Sequence, residues 1–159
     1  MRRTLLAALV SVPALLSFAA WPRTQDDAEQ EKREEALSAL LTGARLVGFT
    51  TFDGRPDAPP AQDSYDIARA EKADGDKWLI ESVIGESGLK VPLYLEVKWA
   101  GDTPVLTLDK VAVPGMGTFD ARVLFHGNGY AGVWSGEGAG HSGAIAGRIE
   151  RTPAKAQAK

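Results

Sequence analysis

The sequence contains no cysteine, which excludes a disulfide framework, a thiolate metal site, a cysteine nucleophile and a lipid-modified cysteine anchor. Histidine is nearly as scarce, and the two present leave little from which to build a metal centre. Aromatic residues make up 8%, against 17 glycines and 9 prolines, a balance that favours a turn-rich strand fold over a helical bundle. Neither sign of charge dominates, with 18 Lys and Arg against 21 Asp and Glu. The lack of a basic excess disfavours nucleic acid or an anionic lipid surface as a partner, because both reward clustered Lys and Arg. What is present, 44% hydrophobic residues in 159 at a mean hydropathy of -0.15, suits one globular domain and argues against disorder and against multiple membrane spans.

Long hydrophobic runs are also missing, apart from one near the N-terminus. Met1-Arg2-Arg3 is a short positive start, and residues 5–18 are apolar apart from Ser11, Pro13 and Ser17. Ser17-Phe18-Ala19 then supplies the small-x-small pattern read by a signal peptidase. A spanning helix needs about 20 apolar residues, and this stretch is shorter, with a proline at its centre. Residues 1–19 are therefore expected to be a cleaved signal peptide. The mature protein is expected to be exported, periplasmic or extracellular, without stable membrane insertion.

Residues 20–43 read as a polar lead-in and one short helix. Thr24-Gln25-Asp26-Asp27 has the form of a capping box, and strong helix formers follow over 27–41. Glu29 and Arg33 stand four apart as an ion pair. Leu37, Leu40 and Leu41 make the apolar stripe, so the helix is expected to dock by its C-terminal end, with its charged first half solvated. Gly43 suits the C-cap.

From residue 44 the period becomes two. Leu89, Val91, Leu93, Leu95, Val97 and Trp99 alternate with more polar neighbours, as do Phe119, Ala121, Val123 and Phe125. This is the pattern of strands with one buried face. Turn signals at Asp74-Gly75, 85–88, Gly101-Asp102, 114–117 and Asn128-Gly129 divide the chain into eight strands near 44–53, 63–73, 76–84, 89–99, 103–112, 118–127, 129–135 and 141–151. Asn128-Gly129 suits the centre of a type I′ hairpin turn. The expected fold is all-β: an eight-stranded antiparallel meander over 44–151 closing into a small up-and-down barrel, preceded by the helix. Closure removes both exposed edges. Pro92 is the dissenting residue, because it lacks a ladder donor and needs a bulge or an edge. No internal repeat is found, and the Ala/Lys-rich residues 152–159 read as a disordered tail.

No catalytic constellation emerges. His126 and His141 fall at opposite ends of a hairpin arm, ~20 Å apart at about 3.3 Å per residue, too far to share a metal. Asp120 and His126 share a strand face but stand six residues apart. No serine occupies a nucleophile elbow, and the glycines of 136–140 join two strands instead of opening a helix, so they lack the dipole of a phosphate loop. No metal and no cofactor are expected, and the chain does not read as an enzyme. Glycines 127, 129, 132, 136, 138, 140, 143 and 147 crowd two strands. They mark either tight curvature at closure or strands that wall a ligand. Trp78, Trp99, Phe119, Phe125 and Trp134 are the candidate ligand-binding residues, with Phe49 and Tyr65 beside them. These side chains either line a cavity or fill the barrel solidly.

Residues 41–48 (Leu-Thr-Gly-Ala-Arg-Leu-Val-Gly), 98–104, 114–119, 121–125, Tyr130-Ala131-Gly132-Val133-Trp134 and Gly147-Arg148-Ile149-Glu150 form a set of short motifs. With these the chain resembles a group of uncharacterised secreted bacterial β-proteins of the planctomycete type, over roughly 41–151. Gly132-Val133-Trp134 is similar to the Gly-x-Trp motif of the lipocalin and avidin superfamily, although it stands near the last strand instead of the first. That resemblance is one of architecture and implies an eight-stranded barrel that binds small molecules. Two functional expectations follow: an exported barrel holding a small apolar or amphipathic ligand, or a packed barrel serving as a protein-interaction or cell-envelope structural module. In the second, the contacts would fall on Tyr94, Glu96, Lys98 and Arg122 or on the loop at 55–60.

Overall fold

The structure is a computed structural model that describes residues 25–84, 89–137 and 141–151. The expected signal peptide, the lead-in through Thr24, the turn at 85–88 and the C-terminal tail lie outside the described residues. A helix, α1 (Gln25–Leu41), precedes eight strands: β1 (Ala44–Thr50), β2 (Ala61–Asp74), β3 (Lys77–Ile84), β4 (Leu89–Ala100), β5 (Thr103–Val113), β6 (Gly117–His126), β7 (Gly129–Gly136) and β8 (Ser142–Arg151). Every strand pairs antiparallel with its neighbours in sequence, and β1 pairs with β8 from Ala44↔Arg151 to Thr50↔Ile145, so the barrel is closed. The meander follows from alternating apolar residues joined by short turns. At the β6–β7 hairpin the turn falls one residue earlier than the sequence suggested. His126 pairs with Gly129, Gly127 takes a positive φ of 57° and Asn128 does not. These are the φ signs of a type II′ turn, which places glycine first.

Helix α1 lies across the barrel end that carries the β2–β3, β4–β5 and β6–β7 hairpins. Leu37 and Leu41 are buried in one cluster with Ala44, Ala70, Trp78, Val97 and Ile149. The Ser38 hydroxyl donates to the Ala70 carbonyl at 2.7 Å, and the Ala70 N–H donates to Thr42 Oγ1 at 3.0 Å. The charged first half of the helix is solvated as expected, with Asp26, Asp27, Glu29, Glu31 and Lys32 exposed, and Arg33 at mid-helix is half-buried. Arg33 does not reach for Glu29. Its guanidinium lies 5.6 Å from the centre of the Trp99 ring and donates to the Gly101 carbonyl at 3.0 Å. The Trp99 ring face, the Gly101 carbonyl and the Asp102 carboxylate 3.6 Å away together outcompete Glu29 for the guanidinium.

Pro92 is accommodated at an edge inside the closed barrel. Among the described residues β4 pairs with β5 only from Glu96↔Thr107 to Ala100↔Thr103, although it pairs with β3 from Lys77↔Glu96 to Ile84↔Leu89. Residues 89–95 therefore have a strand partner on one side only, where proline is tolerated. The cause lies on β5. Two residues, Asp109 and Lys110, bulge between the pairs Leu108↔Ala121 and Val111↔Phe119, and Lys110 takes a positive φ of 50°. Arg122 holds the bulge by an ion pair with Asp109 and by donating to the Leu108 carbonyl at 2.8 Å. The bulge turns β5 off the line of β4 and leaves a seam in the wall.

Candidate functional site

The interior is solid at the helix end and hollow at the other. Trp78, buried to 1% exposure, packs with the helix leucines, Ala70 and Val97 to form a base. Above that base lies a cavity of about 440 Å³, within the range of small-molecule sites, about 300–1,000 Å³. Inward positions of successive strands supply its wall: Leu46 from β1, Ile67 from β2, Ile80 from β3, Leu93 and Leu95 from β4, Leu106 and Leu108 from β5. At the mouth stand Phe52, Met116, Phe119, Trp134 and His141. Trp134 organises this rim. Phe52 meets its ring edge-on at 5.5 Å between centroids, Phe119 lies 6.3 Å away, and the indole N–H donates to Thr50 Oγ1 at 3.0 Å.

Three of the five expected ligand-binding residues line this cavity: Phe119, Phe125 and Trp134. Trp78 and Trp99 do not. Both lie in the packed end, Trp78 in the base and Trp99 beneath Arg33. Phe49 faces outward at 56% exposure, because the inward parity of β1 runs through Ala44, Leu46, Gly48 and Thr50. His141, at the mouth, and His126, at the helix end, occupy opposite ends of β7, as their spacing implied. The His141 Nδ1 lies 2.9 Å from the Glu137 carbonyl, which can only accept, so that nitrogen carries a proton.

A polar corner interrupts the apolar wall, and sequence reasoning found only one of its members, Tyr65. Asp63 and Tyr65 share the inward face of β2, two residues apart. The Tyr65 hydroxyl donates to Asp63 Oδ2, while Oδ1 accepts the Ser64 N–H at 2.8 Å. Gly48 pairs with Asp63 on one side and Gly147 on the other. The ring of Tyr130 lies against this glycine pair. A β-carbon on Gly48 would stand 2.7 Å from the Tyr130 hydroxyl, and one on Gly147 2.8 Å from its ring. Either would also strike neighbouring backbone, at 2.1 and 2.2 Å, so both positions require glycine. Tyr130 is 3% exposed, and its hydroxyl makes no hydrogen bond with the protein. Burial first, then the Asp63 hydrogen bond and charge, raise the Tyr65 pKa far above the ordinary tyrosine value. Burial and the Asp63 charge likewise push Tyr130 up.

A second concavity, of about 400 Å³, lies against the outer face of β6–β8 and is lined by polar groups, among them Asp53, Asp120, Arg122, Ser135 and Ser142, together with apolar ones such as Val133 and Trp134. Among the described residues no helix is long and apolar enough to cross a membrane. The chain matches no protein-family model, no curated protein and no solved structure.

Proposed function

We propose that this protein is an exported carrier or sensor that holds a small, largely apolar molecule inside the barrel. The observation that carries the reading is the cavity of about 440 Å³ above a packed base, walled by aliphatic and aromatic side chains with a few polar groups at one corner. Apolar enclosure supplies affinity and a small number of placed polar groups supplies orientation. The role is binding, not catalysis: the polar corner holds a carboxylate and two phenols, with no nucleophile paired to a base. Export rests on the N-terminal charge, apolar run and small-x-small site of the sequence.

A neutral fluorescent probe, N-phenyl-1-naphthylamine, tests the reading by titration into the full mature chain. Saturable emission enhancement is expected, weakened about tenfold by Trp134→Ala, since losing one large apolar contact removes on the order of 1–2 kcal/mol. Trp78→Ala is expected instead to cost stability, about 3–5 kcal/mol in a denaturant melt. A probe that does not bind overturns the reading. Native mass spectrometry of protein taken directly from the exported fraction would show a natural ligand as a mass increment lost on denaturation.

The second reading, an interaction module, draws on the outer surface. Val133, 61% exposed, borders the outer concavity beside Arg122 and Asp120. Substitution of Val133 by Asp would then abolish partner association and leave probe binding intact.

A further inference from the structure

Resting on the cavity reading, we infer that the ligand carries a neutral hydroxyl at its polar end, donating to Asp63 and accepting from Tyr130, and that carboxylate ligands are excluded. Tyr130 lines the cavity, and its hydroxyl is buried and has no protein partner. An unpaired buried donor is costly, so a group that supplies its acceptor recovers that cost. Asp63 stands opposite Gly48, against which the Tyr130 hydroxyl rests, so the two groups face one corner of the cavity.

The two groups demand different things of a ligand. The Asp63 carboxylate accepts from Tyr65 and from the Ser64 N–H, and each of its oxygens keeps a further lone pair. It therefore takes a donor. The Tyr65 proton is already committed to Asp63, whereas the Tyr130 proton is not, and Tyr130 therefore takes an acceptor. Their raised pKa values keep both phenols protonated. A hydroxyl is at once donor and acceptor and matches both. An ether oxygen satisfies only Tyr130. A carboxylate places a second negative charge beside Asp63, and no Lys or Arg lines the described wall to compensate it. Arg55 stacks on Phe52 at 4.4 Å and lies outside the wall.

Displacement of bound N-phenyl-1-naphthylamine by decanol, methyl decyl ether and decanoate at neutral pH tests the inference on the intact mature chain. Decanol should displace the probe at concentrations about tenfold below the ether, and decanoate should be weaker again. Tyr130→Phe should weaken decanol and the ether by the same factor, because both accept from its hydroxyl, and leave their ratio unchanged. Asp63→Asn, which preserves shape, should bring decanol and the ether together and restore decanoate relative to the ether. Thermal melts of both variants separate these effects from loss of fold. Decanoate binding as tightly as decanol, its head turned outward toward Arg55, overturns the inference while the cavity reading stands. Undiminished affinity of decanol and the ether in Tyr130→Phe, or an unchanged rank order in Asp63→Asn, does the same. Failure of the probe to bind the parent protein overturns both.

Discussion

At the scale of single residues, the buried tyrosines make stability depend on alkaline pH. Tyr65 has a folded-state pKa raised above the ordinary 10.0, first by burial and then by Asp63. Below that ordinary value both folded and unfolded chains keep the proton, and the contribution of the Tyr65–Asp63 pair is complete. As pH rises past it, the unfolded chain ionises while the folded one does not, so stability is lost progressively toward the raised folded value. Tyr130 is shifted in the same direction and adds to the loss. Denaturant melts above about pH 10 should show this decline, and Tyr65→Phe should flatten it. The same variant should be less stable at neutral pH by about 1–3 kcal/mol, because Asp63 loses a buried donor. A parent protein whose stability is flat through that range would show that Tyr65 ionises as freely when folded as when unfolded.

At the scale of elements, the β4–β5 seam sets the local stability. The first half of β4 has no partner on the β5 side, so the outward-facing amides of 89–95 lack ladder bonds that β1, paired on both sides, retains. Hydrogen exchange should accordingly be faster over 89–95 than over β1 and β8. Arg122→Ala should extend fast exchange into 108–112, because Arg122 ties down the bulge through Asp109 and the Leu108 carbonyl. Equal protection of all eight strands would contradict the seam. The strands were legible in the sequence because alternation is a local property, and Val91, Leu93, Leu95 and Val97 do turn inward. The bulge was not legible, since Asp109-Lys110 carries no glycine to announce a positive φ. Height along the barrel was missed although the turns encode it. Trp78 and Trp99 stand beside the Gly75 and Gly101 hairpins at the helix end, whereas Phe119 and Trp134 stand near the opposite strand ends. The polar corner was hidden for another reason. Tyr130 reaches Gly48 across the β8–β1 closure, a contact between residues far apart in sequence that no local pattern reports.

At the scale of the whole molecule, the barrel divides its work between its two ends. A dry, rigid void of about 440 Å³, at about 24 cal/mol per Å³, would cost roughly 10 kcal/mol, comparable with the entire stability of a typical domain. The cavity avoids that cost by opening to solvent at a mouth where Met116 is half exposed and His141 exposed, while the packed base with Trp78, Leu37 and Leu41 carries the stabilising burial. A hollow half kept open in this way is a place where stability has been given up for volume, and filling it should return some of that stability. Val123 faces the cavity from β6 and packs against the core at its edge. Val123→Phe should occupy part of the space without displacing its neighbours, raising stability by about 1 kcal/mol and the melting temperature by a few degrees. The same change should weaken N-phenyl-1-naphthylamine binding about tenfold, so that stability and affinity move in opposite directions. Thermal melts and probe titration on one preparation measure both. A variant that melts higher and binds the probe as before would place the bound molecule outside the barrel, with the concavity beside Arg122 and Val133 as the next surface to substitute.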